Sequence, residues 1–206
     1  MKFEEFKHRL SKLKNKSLPG IESHIQLAPT NRIELIKKIK TNNKTQDASV
    51  SLCFFSDSKN DVRMPLILRN EYDGVHSNQI SFPGGKKENN DADLIETAIR
   101  ETNEEIGIKK DNMILQLKLT DIYMPPSNFL VRPYIFTLKN EPLIKQDNIE
   151  VIKVLVPTLS TLIGLKIHYG FTDKQKIKNP YFIIENHIVW GATAMILNEF
   201  ISIIKS

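Results

Sequence analysis

Three glutamates fall within five residues of one another in the stretch RETNEEIG, residues 100–107. Glu101, Glu104 and Glu105 offer hard carboxylate oxygens. Such oxygens suit Mg²⁺ or Mn²⁺, which proteins hold through a few carboxylates together with waters and substrate phosphates. The sequence has one cysteine and five histidines, and no set of them has the spacing of a zinc site. The cluster therefore predicts a site for a hard divalent cation that acts on a phosphate-bearing ligand.

The same glutamates are unfavourable on a helix. Successive residues of a helix are rotated by about 100° from one another. On this geometry five residues form an apolar stripe about 100° wide, and the glutamates occupy the neighbouring arc. The stripe consists of Ile95, Ala98, Ile99, Thr102 and Ile106. Glu101 and Glu105 face each other at i,i+4, which costs about 0.2–0.5 kcal/mol, and the helix dipole also disfavours anions near the C-terminus. A bound cation would relieve this repulsion; the alternative interpretation is a solvated acidic face.

Arg100 and Gly107 help to define the helix that carries the cluster. Arg100 stands four residues after Glu96 and four before Glu104, and both pairs favour a helix over residues 93–106. Gly107 predicts a left-handed cap that ends the helix directly after the glutamates.

The remaining pattern predicts a mixed α/β chain in which strands outnumber helices. Further helices are predicted at residues 2–15, 30–40 and 192–205. Strand-like runs occupy residues 49–56, 63–70, 80–82, 113–124, 128–139, 149–157, 165–171 and 181–190. We expect residues 1–45 to form an N-terminal helical extension packed on a domain of residues 46–206. The apolar stripe of the first helix either docks on that domain or lies on a membrane surface.

Composition narrows the class of protein. The 29 basic and 24 acidic residues give a net charge of +5, without the Arg-rich run or aromatic strip of a nucleic-acid interface. Cys53 is the only cysteine and lies between apolar neighbours, so it fits strand packing in a reducing compartment. No apolar run of about 18 residues is present to span a membrane, and the N-terminal residues do not resemble a signal peptide. The expected location is the cytoplasm.

The pattern of glycines and charges around the cluster resembles the Nudix box, the Gly…Arg-Glu-x-x-Glu-Glu-x-Gly signature of a family that hydrolyses nucleoside diphosphates linked to another moiety. Residues 100–108, RETNEEIGI, match every charged and glycine position of its second half. Thr102 departs from the usual aliphatic residue. The resemblance covers roughly residues 30–205 and implies an α/β/α sandwich with a mixed central sheet.

The first half of the box is one residue longer than usual. Ala92 stands at its first acidic position, and Asp91 lies one residue earlier. Together with the entry SFPGG, residues 81–85, this insertion resembles the branch of the family that splits coenzyme A. The segments at 126–129 and 187–197 resemble that branch too. Asn78 replaces its usual glycine, and the arginines expected in the preceding loop are missing.

The resemblance implies roles for residues of the box. Glu101 and Glu105 would be the principal ligands of Mg²⁺ or Mn²⁺, and Glu104 would complete the set. Arg100 would orient the glutamates, and Gly85 would offer its backbone carbonyl to a metal ion. Hydrolysis of a pyrophosphate needs charge neutralisation, an oriented leaving phosphate and a deprotonated water, all of which such a site supplies.

Four residues outside the box have two interpretations each. Glu150 is a candidate for an additional general base, or an ordinary surface glutamate. Ser127 and Asn128 either contact substrate or only shape a proline-rich turn. His76, the nearest basic group in the loop before the box, either meets a phosphate or has no specific role. Trp190 is expected to pack in the core.

The leading hypothesis is a metal-dependent diphosphohydrolase acting on coenzyme A or its thioesters, with 3′,5′-ADP and 4′-phosphopantetheine as products. One alternative keeps the chemistry and changes the substrate to ADP-ribose or a related nucleotide. A non-catalytic binding module of the same fold would tend to lack the box glutamates. An RNA-binding or cap-removing protein would need an extended basic groove. We expect a small nucleotide as the partner, no nucleic acid and no membrane span, and either a monomer or a homodimer.

Overall fold

The structure, a computed structural model of the 206-residue chain, describes residues 1–14, 16–30, 33–34, 44–70, 79–125, 127–172 and 177–206. Its helices are α1 (Phe3–Leu13), α2 (Ile21–Ile25), α3 (Leu94–Ile106), α4 (Leu159–Ile163) and α5 (Gly191–Lys205). Its strands are β1 (Gln46–Ser56), β2 (Val62–Arg63), β3 (Leu66–Arg69), β4 (Ile80–Ser81), β5 (Gly84–Lys86), β6 (Met113–Lys118), β7 (Ile122–Met124), β8 (Phe129–Leu138), β9 (Val151–Leu155), β10 (His168–Phe171), β11 (Lys178–Ile184) and β12 (His187–Trp190).

The central sheet is mixed, as predicted. Its two longest strands, β1 and β8, pair in parallel from Gln46–Phe129 to Phe54–Thr137. The flanking strands are antiparallel: β2 and β5 on β1, and β6 and β7 on β8. Central parallel strands are buried on both faces and so consist of nearly continuous apolar residues, which is the character of the Leu52–Phe55 run.

Alternation along β1 divides the core into two layers. Side chains of successive residues point to opposite faces of a strand, so Leu52 and Phe54 belong to one apolar cluster and Cys53 and Phe55 to another. The first cluster includes residues of α1 and α5, and the second includes residues of α3. Helices therefore cover both faces of the sheet, and the predicted α/β/α sandwich is confirmed.

Cys53 has the structural position that the sequence predicts. Its side chain is fully buried in β1. Burial raises the pKa of its thiol to about 12, with a small opposing contribution from a hydrogen bond to Ser51. A thiol in such a site is unreactive.

Two smaller sheets are also present in the described part of the chain. The first has the order β4-β3-β9, and the second is the antiparallel meander β10-β11-β12. Strand β12 lies against β4, which leads into the turn before β5. This contact brings the C-terminal part of the chain beside the box.

The apolar stripe of α1 is covered by the chain itself. Phe6 and Leu10 are fully buried, and the Phe6 ring lies 4.8 Å from that of Phe54 and 6.4 Å from that of Phe200. The predicted helix at 30–40 falls largely outside the described residues. Helix α4 was not predicted; Thr158 caps it by accepting a hydrogen bond from the Thr161 amide.

A buried carboxylate ties α5 to the N-terminal segment. Glu199 is fully buried and accepts hydrogen bonds from His24 Nε2 (3.0 Å), Gly20 N (3.2 Å), Thr120 Oγ1 (2.6 Å) and Thr120 N (3.2 Å). Burial raises the pKa of Glu199, but the hydrogen bonds from His24 and Thr120 outweigh it, so the pKa lies below its ordinary value. Among the described residues, no helix has the length and apolar character that crossing a membrane requires.

Candidate active site

Helix α3 has the limits that the sequence predicts. Asp93 caps its start and accepts hydrogen bonds from the Ile95 amide (2.8 Å) and the Glu96 amide (2.9 Å). Gly107 ends it at φ 75°, a conformation that glycine adopts without a steric cost. Thr102, the departure from the usual box, is buried, and its hydroxyl hydrogen-bonds Ser51 Oγ and the Ala98 carbonyl oxygen.

Glu105 points into the protein rather than into solvent. Its side chain is 1% exposed, and its Oε2 accepts a hydrogen bond from Gly84 N at 2.8 Å. Arg69 Nη1 forms an ion pair with Oε1 at 2.9 Å, and this buried oxygen accepts no hydrogen bond from the described residues. Burial raises the pKa of Glu105 to about 7, although Arg69 and the Gly84 amide oppose the rise. The interpretation as a solvated acidic face is therefore wrong for this residue.

Glu101 lies one turn earlier, against the glycine turn. A Cβ atom at Gly85 would lie within 2.7 Å of its carboxylate, so any other residue here would displace the Glu101 side chain. The carboxylate accepts a hydrogen bond from Arg100 Nη1 at 2.9 Å. Burial raises the pKa of Glu101 despite the opposing charge of Arg100. The backbone of β5 and two box carboxylates thus meet at one place.

Arg100 donates hydrogen bonds to three carboxylates of the site. Its guanidinium donates to both oxygens of Asp91 (2.9 and 3.0 Å), to Glu101 and to Glu104 Oε2 (2.8 Å). The predicted pair with Glu104 is confirmed. Glu96, which was expected to pair with Arg100 as well, binds Lys110 Nζ at 2.7 Å instead.

Asp91 occupies the place of the missing first acidic residue of the box. It is buried and also accepts hydrogen bonds from Thr97 Oγ1 (2.9 Å) and Glu88 N (2.8 Å). The hydrogen bonds from Arg100 hold the pKa of Asp91 well below its usual range, although burial opposes them. The inserted residue is absorbed in the turn before α3, where the Asp91 amide donates to the Glu88 carbonyl.

Arg69 was missed by the sequence reasoning. It ends β3, and its Nη1 donates to the Gly84 carbonyl oxygen at 3.2 Å besides contacting Glu105. Its Nη2 lies 3.8 Å from Glu150 Oε2. The Glu150 charge contributes to the raised pKa of both Glu101 and Glu105, so it lies near them. The signal available in the sequence was its position. Arg69 ends β3, which pairs with β4, the strand just before the glycine turn.

The donor atoms fit a hard divalent cation. The buried Glu105 Oε1 without a hydrogen bond is an anionic oxygen available to a cation, and oxygen donors are those that Mg²⁺ and Mn²⁺ prefer. Across the described parts of the chain, no three His, Cys, Asp or Glu side chains are already grouped as a metal-ligand set. Arg69 and Arg100 supply the positive charge that the carboxylates face in this structure.

A cavity of about 280 Å³ adjoins the glycine turn. Gly84 and Gly85 lie at its edge together with Arg69, while Trp190 of β12 contributes to its wall. Trp190 was expected in the core, but it is only half-buried, so this prediction is wrong. Thr193 also lines the cavity, and its hydroxyl donates to the Ile80 carbonyl oxygen at 3.0 Å.

The other candidate residues lie in different surroundings. Glu104 has a side chain that is 57% exposed and faces Arg100. Asn128 has φ 53°, and its amide group contacts Tyr123 Oη (2.9 Å) and the Lys44 carbonyl oxygen (2.9 Å), which fits a role in turn geometry. Neither Ser127 nor Asn128 is among the described residues that line the cavity, although the next residue, Phe129, is. His76 lies outside the described residues.

Comparison with known proteins agrees with this geometry. Residues 44–160 match the NUDIX domain family. An uncharacterized Nudix hydrolase NudL from Yersinia enterocolitica is 31% identical over 142 residues, covering 65% of this chain and 70% of the relative. The human mitochondrial coenzyme A diphosphatase NUDT8 is 30% identical over 128 residues, covering 60% of this chain and 54% of that protein.

Solved structures show the same fold. A MutT/nudix family protein from Enterococcus faecalis superposes with a TM-score of 0.53 at 13% identity, covering 82% of this chain and 66% of its own. A MutT protein from Methanosarcina mazei gives a TM-score of 0.51 at 18% identity, covering 78% of this chain and 95% of its own. With the sequence match over more than half of its length, the chain belongs to the Nudix hydrolases, which hydrolyse phosphoric anhydrides with divalent metal ions.

Proposed function

We propose that this protein hydrolyses the pyrophosphate of coenzyme A or its thioesters, adding water across one P–O–P linkage to give 3′,5′-ADP and 4′-phosphopantetheine or its acyl form. The observation that carries the proposal is the turn of residues 82–85. Its glycines lie against Glu101 and Glu105 and at the edge of an apolar cavity. The name of the human relative supports the choice of coenzyme A among Nudix substrates.

The ligands of the metal ion would come from one turn of α3 and from the glycine turn. Glu101 and Glu105 would be the principal ligands, Glu104 would complete the set, and Gly85 would add its carbonyl oxygen. Bound Mg²⁺ or Mn²⁺ supplies charge neutralisation at the phosphates and lowers the pKa of a coordinated water. Arg100, held by Asp91, fixes the direction of the Glu101 carboxylate. These two residues position ligands rather than contact substrate.

Glu150 is our proposed general base. Its side chain is 55% exposed, and its Oε2 lies 3.8 Å from Arg69 Nη2. Arg69 also contacts Glu105, so one guanidinium links the candidate base to the candidate ligand. Glu150 Oε2 would accept the proton of the attacking water. An exposed carboxylate can also release that proton to solvent after each turnover.

The substrate proposal is tested by a panel of nucleotides. Purified protein with Mg²⁺ or with Mn²⁺ is incubated with coenzyme A, acetyl coenzyme A or ADP-ribose, and the products are separated by chromatography. We expect 3′,5′-ADP and the matching phosphopantetheine, and higher kcat/KM for coenzyme A than for ADP-ribose. Rapid cleavage of ADP-ribose with coenzyme A left intact would replace this substrate by the alternative.

Three coarser proposals concern the whole molecule. We propose that residues 1–45 are an extension packed on a domain of residues 46–206, which the buried Phe6 and Leu10 support. We also propose that the enzyme works in the cytoplasm, where the lone buried thiol of Cys53 stays reduced, and that it acts as a monomer or homodimer. Deletion of residues 1–14 should lower the melting temperature, and light scattering would give the oligomeric state.

A further inference from the structure

The cavity beside the glycine turn is apolar on the side away from the box. Among the described residues, its charged lining residues are Arg69 and Lys86, whereas the remaining wall is mostly hydrocarbon. The larger apolar side chains of this wall include Phe82, Met124, Phe129, Trp190 and Ile196. A pyrophosphate would not bind against such a wall, because a charged group loses its hydration there. This part of the cavity therefore suits an uncharged arm of the substrate.

The few polar side chains of the wall are less suited to bind a nucleotide base than an uncharged chain. Ser49 already donates to the Leu94 carbonyl oxygen at 2.7 Å, Thr193 donates to the Ile80 carbonyl oxygen, and Gln79 already interacts with another group of the protein. Ser81 Oγ is buried in the described structure without a hydrogen-bond partner. One hydroxyl can satisfy one carbonyl group, but a base brings several nitrogen and oxygen atoms that would lose water without replacement.

The apolar surface continues beyond the cavity. In the register of β11 and β12, Tyr181 pairs with Trp190 and Ile183 pairs with Ile188. Phe182, Ile184 and Val189 point to the core, so the pairs above form the outer face of the meander. Ile183 and Ile188 are 44% and 43% exposed. Through Trp190, this outer face is continuous with the cavity wall.

The dimensions also favour a chain that is longer than the cavity. At about 280 Å³ the cavity lies just below the range for small-molecule sites, which is about 300–1,000 Å³. It holds one arm of coenzyme A rather than the whole molecule. An alkyl chain that fills it can leave along the outer face, where each further methylene still loses contact with water.

On these grounds we propose that the cavity and the outer face of β11 and β12 bind the acyl-pantetheine arm of acyl coenzyme A, with Ser81 donating its hydroxyl to a carbonyl of that arm. The inference rests on the proposed function and narrows it. The preferred substrates are medium- or long-chain acyl thioesters, and Trp190 and Ile183 are specificity residues for the chain.

The first experiment compares kcat/KM for coenzyme A and for its acetyl, butanoyl, octanoyl and palmitoyl thioesters. Burial of a methylene corresponds to about a fourfold gain, and partial burial gives less. We expect octanoyl coenzyme A to exceed coenzyme A by about tenfold or more. Equal kcat/KM across the series would overturn the inference while leaving the proposed function intact. Failure to cleave any of these compounds, with ADP-ribose cleaved, would overturn both.

Variants then test the location of the chain. Trp190→Ala removes part of the wall, Ala192→Leu narrows the cavity, and Ile183→Ser changes the outer face without touching the core. Each should lower the ratio of kcat/KM for octanoyl to free coenzyme A by about threefold or more, the loss of one or two buried methylenes. Ile114→Ser is the matched control: Ile114 is 42% exposed on β6, and its ratio should not change. An unchanged ratio in Ile183→Ser and Ala192→Leu, both folded, would overturn the placement even if Trp190→Ala fails to fold.

The single tryptophan gives a readout that is independent of turnover. Trp190 is the only one in the chain, so intrinsic fluorescence reports on the cavity wall. In EDTA, where the metal-dependent reaction does not run, octanoyl coenzyme A should shift the emission to shorter wavelength and saturate. Coenzyme A, which has the pantetheine arm without the acyl chain, should shift it less, and ADP-ribose, which has neither, much less. An equal shift with ADP-ribose would place adenosine in the cavity instead and overturn the inference.

Discussion

Glu105 and Glu199 are both buried glutamates on helices, on opposite faces of the central sheet, yet their surroundings differ. Glu199 accepts four hydrogen bonds, and its pKa is lowered. Glu105 accepts one, from Gly84, and leaves its Oε1 without any; its pKa is raised to about 7. Burial acts on both in the same direction. The difference therefore comes from the hydrogen bonds and the His24 charge at Glu199, and from the like charges of Glu101 and Glu150 near Glu105.

The comparison separates a structural carboxylate from one that is kept for a ligand. A buried anion that is fully hydrogen-bonded stabilises the fold and has no capacity for a further partner. An incompletely bonded one costs stability; at Glu105 the ion pair with Arg69 reduces that cost, and a bound divalent cation would reduce it further. The repulsion between the box glutamates is one part of that cost, and the missing donors at Glu105 are another.

The largest expected effect is on catalysis. Glu105→Gln keeps the shape of the side chain but removes the charge, and kcat should fall by about 10³-fold or more because charge stabilisation at the phosphates is lost. Steady-state kinetics and circular dichroism measure rate and fold together. Glu96→Gln, on the same helix but paired with Lys110, should keep nearly full activity. An active, folded Glu105→Gln enzyme would remove the distinction between the two glutamates.

A smaller loss is expected at Asp91, which resembles Glu199 in its bonding but belongs to the site. Asp91→Asn weakens the hold on Arg100, so kcat/KM should fall by about 10–100-fold, as for other residues that orient metal ligands. The Mg²⁺ concentration for half-maximal rate should rise as well, which a merely structural change would not cause. Asp93→Asn is the control, since asparagine also caps helices. Equal effects of the two substitutions would show that Asp91 acts only through helix stability.

The reverse pattern is expected at Glu199. Glu199→Gln loses charge-assisted hydrogen bonds to His24 and Thr120, which should lower the free energy of unfolding by about 2–3 kcal/mol. Activity of the folded protein should stay within about twofold of wild type. Urea unfolding and kcat/KM, measured at a temperature where the variant is folded, test the two halves. A large drop in kcat with little loss of stability would contradict the structural role.

A further effect concerns the pH dependence of stability, in which the two residues have opposite signs. Glu105 has a folded pKa near 7 against an ordinary value of 4.5, so the folded state holds a proton that the unfolded state has released. Stability should therefore fall as pH rises from about 4.5 to 7 in EDTA, and Glu105→Gln should remove that slope. Glu199 has a lowered pKa, so its contribution is present above 4.5 and is lost as pH falls through its folded pKa. Melting temperatures of wild type and both variants from pH 4 to 8 would test the signs.

The local sequence was sufficient to predict the limits of α3 and one of its ion pairs, but not which of its glutamates is buried. Asp93, Gly107 and the Arg100–Glu104 pair are determined by neighbours three or four residues away, and each was predictable. The orientation of Glu105 was not, because it depends on Gly84, which is distant in sequence. Periodicity gives the faces of a helix, but contacts with other elements decide how far each face is buried.

The other misses have the same origin. Arg69 reaches the site only because β3 and β4 pair and lead into the glycine turn. Tryptophan is a large side chain typical of a core, but the place of Trp190 in the cavity wall depends on the contact between β12 and β4. Helix α4 is too short for a period of 3.6 to be visible. The chemistry was therefore easier to predict than the contacts that position it.

The aromatic group of Phe6, Phe54 and Phe200 has a consequence for synthesis of the chain. A ribosome adds about 5–20 residues per second, so α1 emerges on the order of ten seconds or more before α5 exists. During that interval Phe6 lacks the Phe200 ring that it later lies beside. The apolar stripe of α1 must then be shielded by the partly synthesised sheet or by a chaperone. Closure of this layer therefore waits until residues near Phe200 have left the ribosome, and it joins a segment made early to one made late.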